Sequence, residues 1–438
     1  MAAAATKMEK LSPRKWDNHS SMRLGIYISV PFCRTKCSYC NFASDVFSRA
    51  LFDRYVDRVC AQIAGATETA AAMGGKTERE ADSIYLGGGT PTVLDSEQLQ
   101  RIFAAVHRHF SIVPDAEVTV ECAPGTLTPA ILGTLVGCGV NRVSLGVQSF
   151  VDGEAAAVGR LHKRVMVLED IARLRGAGIA NINIDLIAGL PHQTAESWRL
   201  SVVETIGTGA PHVSVYMLEV DEDSRLGSEL IAGGSRYHAH FVPDDDATAD
   251  FYLEACERLN SAGITQYEIS NFARPGFESL HNLKYWTRQP YLGFGVDAHS
   301  MLFSTREGHD FSRAETIGHE LGFSPCGDVE AVRFAAPDSL DKYISGAASQ
   351  RTAISAGAAL EEAFFLGLRL TGGVSLDQVA AKFGADAVHR HDPAIAEMTA
   401  NDLIERENEI VRLTPRGRLL SNEVFERFLV PGQGCSVD

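Results

Sequence analysis

Cys33, Cys37 and Cys40 stand in the run from Ile28 to Phe42 with the spacing Cys-x3-Cys-x2-Cys. That spacing puts three thiols on one short loop. As thiolates they can ligate three irons of a [4Fe–4S] cluster, a cofactor that normally takes four cysteines. The remaining iron is then open to a small molecule, which points to chemistry or cofactor binding rather than plain electron transfer. A structural zinc is the competing reading, because zinc also binds sets of thiolates, but it wants a fourth ligand. None stands close by in the sequence.

Other residues of chemical interest are spread along the chain. Gly87-Gly88-Gly89-Thr90-Pro91 can bring backbone N–H groups close to a ligand, since glycine carries no side chain to block the approach. A tight turn explains the same triplet equally well. Glu121, Gln148, Arg160 and Asp185 each read alone as ordinary polar residues. As a set they suit a nucleoside joined to an amino acid: carboxylates for ribose hydroxyls, arginine for a carboxylate gripped by two hydrogen bonds. The run His281-Asn-Leu-Lys-Tyr285-Trp286 places His281 and Tyr285 on one face if it is helical. An imidazole beside flat aromatic rings can bind haem, with the ring nitrogen on iron and the aromatics against the porphyrin. A capped helix start with buried aromatics is the plainer reading of the same run.

Something must bring these residues together. Short apolar runs rich in Val, Ile and Tyr fall at Leu24–Val30, Asp82–Leu86, Glu117–Glu121, Arg142–Val147, Asn181–Ile187 and His212–Met217. They read as buried strands. Between them, Phe52-Tyr55-Val56-Val59-Ile63, Leu99-Ile102-Phe103-Val106-Phe110 and Leu168-Ile171-Leu174 recur at helical steps. Strands alternating with helices predict an α/β fold with a parallel sheet, here a partial (β/α)6 barrel. The cysteines, the glycine loop, Glu121, Gln148, Asp185 and Glu219 each fall at or just after a strand. That is the end at which α/β barrels gather their active sites.

The 438 residues suffice for a large domain and a small one. We expect a disordered tail over 1–22, the barrel over 23–220, an extension carrying His281–Trp286 over 221–345, and a C-terminal domain over 355–430. The tail lacks the apolar core of a secretory signal; Lys7, Lys10, Arg14 and Lys15 would suit a transit peptide, and Glu9 and Asp17 count against one. The acidic runs at 221–223 and 244–246 read as solvated turns or helix starts. In the C-terminal region two apolar helical stripes precede a hairpin pattern at 410–414 and a last helix, an order that resembles a small winged helix. DNA is not the expected partner: that region carries 13 acidic against 8 basic residues from Ser355 to Asp438, and the whole chain has a net charge of −16. Nine cysteines without paired spacing suit a reducing cytoplasm. The six outside the motif read as inert, buried thiols. No apolar run is long enough to span a membrane.

The cysteine spacing with its open iron resembles the radical S-adenosylmethionine (SAM) superfamily, in which SAM occupies the free iron. The run Tyr27–Cys33, the loop Gly88-Gly89-Thr90-Pro91-Thr92, Arg142–Gln148, Gly159-Arg160, Asp185–Pro191 and Tyr267–Asn271 are similar to the oxygen-independent coproporphyrinogen III dehydrogenase (HemN) branch, from about Leu24 to Val430. Within that branch the chain resembles the HemW-type haem chaperones. The HNxxYW run His281–Trp286 is characteristic of them. The dehydrogenases carry a fourth cysteine two residues after the third, where this chain has Phe42, and they use a longer N-terminal extension at the substrate site. The resemblance implies that Cys33, Cys37 and Cys40 ligate the cluster. It implies that Tyr27, Tyr39, Gly88, Gly89, Thr90, Glu121, Gln148, Arg160 and Asp185 line a SAM site, and that His281, Tyr285 and Trp286 contact haem. The implied partners are haem and an acceptor haemoprotein, with room for an electron donor, in the cytoplasm. The alternatives are radical decarboxylation of coproporphyrinogen III and a radical enzyme acting on another substrate.

Overall fold

The structure, a computed structural model, describes residues 22–305 and 329–429. The expected tail, apart from Met22, and Cys326 and Cys435 lie outside the described residues.

Six parallel strands form the centre: β1 (Leu24–Val30), β2 (Glu80–Gly88), β3 (Ser111–Cys122), β4 (Arg142–Gln148), β5 (Asn181–Ala188) and β6 (His212–Met217). They pair in chain order, as successive right-handed βα units must. All six apolar runs of the sequence fall within these strands. In β1, Leu24, Ile26, Ile28 and Val30 are buried in the main core. The alternate positions Gly25, Tyr27 and Ser29 face the barrel interior, as a two-residue period requires. The helix Ala50–Ala64 covers the outside with Phe52, Tyr55, Val56, Val59 and Ile63, and Ser96–His109 packs beside it. Asp95 starts the latter with a reciprocal cap: its side chain accepts from the Gln98 N–H, and Gln98 reaches back to the Asp95 N–H.

The sheet continues past the six units on both sides. β7 (Thr265–Gln266) and β8 (Asn271–Ala273) extend it antiparallel beyond β6. On the other side β9 (Tyr291–Gly295) lies parallel to β1, followed by antiparallel β10 (His299–Phe303), β11 (Val329–Ala335) and β12 (Gln350–Ser355). The order is β12-β11-β10-β9-β1-β2-β3-β4-β5-β6-β8-β7. The extra strands come from the stretch after 220 where the sequence has no repeating βα pattern. They are two to seven residues long, and all their pairings but β1–β9 are antiparallel, so they follow no regular strand–helix period.

The helix Leu280–Trp286 packs against the barrel at the N-terminal half of β2. Gly25 permits this: a Cβ there would stand 2.8 Å from Lys284 Cδ. A second hydrophobic core gathers Leu360, Phe364, Val379, Val411 and Phe428 with Ile269 of the barrel side. Around it lie helices Ala356–Gly367, Leu376–Phe383 and Asp392–Ala400 and a small antiparallel sheet of β13 (Val374–Ser375), β14 (Ile404–Glu407) and β15 (Ile410–Leu413). This C-terminal part is fastened by buried ions. Arg288 donates to Glu362 at 2.8 Å and to Glu330 at 3.0 Å, and Glu330 also pairs with Lys382 at 2.9 Å. Of the acidic runs, Asp244 caps the helix Asp245–Ser261. Among the described residues no helix is long and apolar enough to cross a membrane.

Candidate functional site

The C-terminal strand ends open into a cavity of about 880 Å³. Cys33, Cys37 and Cys40 line it together with Tyr39, Gly88, Gly89, Thr90, Glu121, Gln148, Arg160, Asp185 and Glu219. One residue drawn from each strand end thus meets the cysteine loop. Tyr27 is the exception among the residues expected here. Its ring lies below the cavity, 6.1 Å from that of Tyr85 and 6.2 Å from that of His281.

The cysteine loop is fixed by hydrogen bonds that leave its sulfurs turned to the cavity. The Cys33 N–H donates to Asp45 O at 3.0 Å, Ser38 N–H to Val158 O at 3.1 Å, and the Lys36 ammonium to Phe42 O at 2.7 Å. Asn41 donates to Asp221 at 2.9 Å, so one of the acidic residues read as merely solvated helps to hold the loop. The polar contacts to the thiols are weak ones: Thr90 Oγ1 lies 4.0 Å from Cys33 Sγ and Arg160 Nη1 lies 3.7 Å from Cys37 Sγ, with the Ser44 and Tyr39 hydroxyls also beside Cys33 and Cys37. Among the described residues no three His, Cys, Asp or Glu groups lie close enough to share one metal ion. A zinc ion would need its ligands on one centre. A four-iron cluster spreads its cysteines over separate irons.

The glycine loop leaves room at the sulfurs. A Cβ on Gly89 would stand 2.7 Å from Phe32 O and 3.0 Å from Cys33 Sγ, and Gly88 has a φ of 99°. No other residue type fits both demands. Gln148 sits at a break in register between β4 and β5 with a φ of 67°. Such a bulge re-aims a side chain, and the Gln148 Oε1 is buried without a partner. Arg160 reaches the cavity across Gly146, where it donates to the carbonyl oxygen.

The two carboxylates differ from solvent-exposed ones. Burial pushes the Glu121 carboxyl up to about 7, although Tyr85 OH donates to it at 2.8 Å and Gly88 N–H at 3.2 Å. Burial also raises Asp185, against hydrogen bonds from Ser144 Oγ at 3.0 Å and Asn183 Nδ2 at 2.7 Å. Tyr85, Ser144 and Asn183 are supporting residues that the sequence did not reveal. They lie on the strands themselves, one or more positions from the residues at the ends, and only the period-two pattern within a known strand would find them.

The HNxxYW run has a different setting. It forms the helix Leu280–Trp286, and Ser279 caps it by accepting from the Asn282 N–H. Only Asn282 of the run reaches the cavity. His281 is 1% exposed. Its Nδ1 lies 3.0 Å from Ser83 Oγ and its Nε2 lies 2.8 Å from Tyr285 OH, so both ring nitrogens are engaged. The ring stacks on Tyr85 with centroids 5.3 Å apart. Burial, reinforced by Lys284 and Arg142, lowers its pKa to about 3. Glu117, which no motif marked, accepts from the N–H groups of Leu280 at 3.0 Å and His281 at 3.1 Å, a carboxylate at the positive end of a helix. Trp286 lies under the Arg369 guanidinium, 4.4 Å from the ring centre, and its Nε1 is buried without a partner.

Of the scattered cysteines, Cys122 is buried and Cys60, Cys138 and Cys256 are half-buried. Burial raises all four thiols, Cys256 to about 11. They are inert beside a cluster thiolate.

A sequence profile of the radical SAM superfamily matches residues 27–202, and one of the HemN C-terminal domain matches residues 354–420. Coproporphyrinogen III oxidase (HemN) from Escherichia coli, a radical SAM enzyme, superposes with a TM-score of 0.74 at 22% identity, over 93% of this chain and 90% of that one. Fold and profile together define a radical SAM protein, a class that holds a [4Fe–4S] cluster and SAM. Heme chaperone HemW of Lactococcus lactis is 31% identical over 92% of this chain and 97% of its own length. Heme chaperone HemW of Bacillus subtilis is 33% identical over 92% and 98%. The chain belongs to the HemW family.

The cavity suits both groups on its own geometry. Three thiols without strong partners face it, a glycine cradle leaves space where a Cβ would strike Cys33, and a buried amide oxygen awaits a donor.

Proposed function

We propose that this protein is a haem chaperone that holds a [4Fe–4S] cluster and SAM, carries haem and passes it to an acceptor haemoprotein. The observation that carries the reading is the end of the cysteine loop. No cysteine stands two residues after Cys40; Phe42 occupies that position, where the related dehydrogenases have a fourth thiol, and is 66% exposed at the cavity mouth. Likeness to proteins named haem chaperones over nearly their whole length supports the same choice.

In this reading Cys33, Cys37 and Cys40 hold the cluster, whose free iron supplies a place for SAM. Gly88, Gly89 and Thr90 offer backbone and hydroxyl groups to the SAM amino-acid end, and Arg160 offers its guanidinium. Glu121 and Asp185 take ribose hydroxyls, and Gln148 turns its free oxygen to a donor. Tyr39 closes the site beside the cluster loop. Tyr27 supports it from below through Tyr85. Haem contact at His281, Tyr285 and Trp286 would require their helix to lift from Ser83 and Glu117, because the imidazole is fully engaged in the closed fold.

The test is an anaerobic haem titration, followed by absorbance, of cluster-loaded protein and its His281→Ala variant. Saturable binding near one haem per chain is expected. Its absence from wild type would overturn the chaperone reading and turn attention to coproporphyrinogen turnover. Unchanged affinity in His281→Ala would remove that helix from the haem site while leaving the chaperone reading intact.

A further inference from the structure

A buried chain of hydrogen bonds runs through the barrel from the ligand cavity to the start of the HNxxYW helix. Its middle members, His212 and Tyr267, belong to neither site as described above. The chain begins at Asp185, which lines the cavity. Asn183 Nδ2 donates to Asp185 Oδ1 at 2.7 Å. Asn183 Oδ1 lies 2.6 Å from His212 Nδ1, and His212 Nε2 lies 2.9 Å from Tyr267 OH. The Ser279 N–H donates to that same Tyr267 oxygen at 3.2 Å. Ser279 is the residue that caps the helix Leu280–Trp286. None of Asn183, His212, Tyr267 and Ser279 is more than 5% exposed.

The chain has a single polarity. Asp185, when ionised, can only accept, so Asn183 turns its amide N–H groups to it and its carbonyl oxygen to His212. Burial, reinforced by Arg142, holds the His212 pKa well below the ordinary histidine range, which leaves a neutral ring with one N–H. That proton sits on Nδ1, facing the Asn183 oxygen, so Nε2 accepts from the Tyr267 hydroxyl. The Tyr267 oxygen in turn accepts from the Ser279 N–H. Every donor thus points toward Asp185, an arrangement in which each bond polarises and strengthens the next. Tyr267 is also held through its backbone, the Thr371 N–H donating to its carbonyl oxygen at 3.0 Å.

We propose that Asn183, His212 and Tyr267 are positioning residues that couple occupancy of the SAM site to release of the helix Leu280–Trp286; this rests on the reading of both sites given above. Asp185 shares its charge among all the donors it meets, so a carboxylate that takes ribose hydroxyls holds the Asn183 amide less tightly. The loss passes along the chain as a weaker hold on the Ser279 N–H, at the point where the helix is fastened. Glu117, which accepts from the N–H groups of Leu280 and His281, carries the rest of that fastening. The chain therefore tilts the docking of the helix and does not decide it alone. Apparent haem affinity scales with the fraction of molecules whose helix is lifted. SAM should tighten haem binding, and by linkage haem should tighten SAM binding by the same factor. The low end of the usual range for such coupling, about 5-fold, is the effect expected. Its direction is distinctive, because a bound ligand ordinarily stabilises the closed fold.

The experiment measures hydrogen–deuterium exchange over residues 279–287 in cluster-loaded, haem-free, full-length protein, with and without SAM. Exchange there reads the lifting of the helix. SAM should speed it about 5-fold in wild type. Tyr267→Phe keeps the ring and removes the hydroxyl, so its exchange should be fast without SAM and gain nothing from it. A merely structural role would raise exchange in the variant and leave its response to SAM in place. Wild-type exchange that SAM slows or leaves unchanged would overturn the coupling, whether or not the variant folds, and so would a full SAM response in Tyr267→Phe. Haem titrations with and without SAM separate the coupling from the chaperone reading. Haem binding beside an unresponsive helix would overturn the coupling and keep the chaperone. A helix that SAM loosens, in a wild type that binds no haem, would keep the coupling and overturn the chaperone.

Discussion

The cysteine loop and the HNxxYW helix are the two most distinctive stretches of this chain, and the fold treats them in opposite ways. At the cavity, polar groups are buried yet left without strong partners: the thiols of the loop and the Gln148 oxygen all face open space. A site of this kind is complete only with a ligand, since unpartnered buried polar groups cost stability. At the helix, His281 has a partner on each nitrogen and Glu117 receives two backbone N–H groups. That arrangement is complete in itself. A distinctive motif can thus mark either a ligand site or a lock that holds the barrel shut, and partner satisfaction tells the two apart.

The contrast can be broken most decisively at the loop. Cys37→Ala should abolish a SAM-responsive [4Fe–4S] cluster, read by its absorbance and electron paramagnetic resonance signals, while thermal stability of the metal-free chain changes little. A SAM-responsive cluster in that variant would mean that the ligand set is wrong. At the helix the order should reverse. His281→Ala strands Ser83 and Tyr285 in the interior and should cost on the order of 3 kcal/mol, at about 1–3 kcal/mol for each buried group left unpaired, in protein that holds no haem. Acid should act in the same direction. The His281 pKa is about 3 in the fold and near the ordinary 6.5 when unfolded, so the unfolded chain binds the extra proton between those values. Stability from this residue is therefore full above pH 6.5 and declines as pH falls toward 3. Urea unfolding at pH 7.5 and 5 should show a larger acid loss in wild type than in His281→Phe. Equal losses would mean that the imidazole is not locked.

The sequence discloses these two regions unevenly, for physical reasons. The cysteines, the glycine loop, Glu121, Gln148 and Asp185 are legible because each follows an apolar run whose end can be read from side-chain type alone. Each of those runs lies inside one of the six central strands. Glu117 and Arg142 look like ordinary charged residues in the sequence. They matter because their strands begin where the helix Leu280–Trp286 docks, a long-range contact that no local pattern encodes. Strands β7 to β12 are equally hidden, being short and outside the regular strand–helix alternation.

The smallest effect sharpens the cavity side. Glu121 has a pKa of about 7 because burial outweighs its two hydrogen bonds. Near neutrality it is part protonated, and a neutral carboxyl is a poorer acceptor for ribose hydroxyls than the anion. Hydroxyl donors from SAM would favour the charged form, so SAM should bind more tightly as pH rises from 6 to 8, and binding near pH 7 should release a proton. Calorimetry in buffers of different ionisation enthalpy measures that proton directly. Glu121→Gln keeps the shape and an acceptor oxygen but cannot titrate, so the proton release should vanish and the pH dependence flatten. A proton release that persists in Glu121→Gln would assign the titration to another group, with Asp185, which burial also raises, as the next to replace.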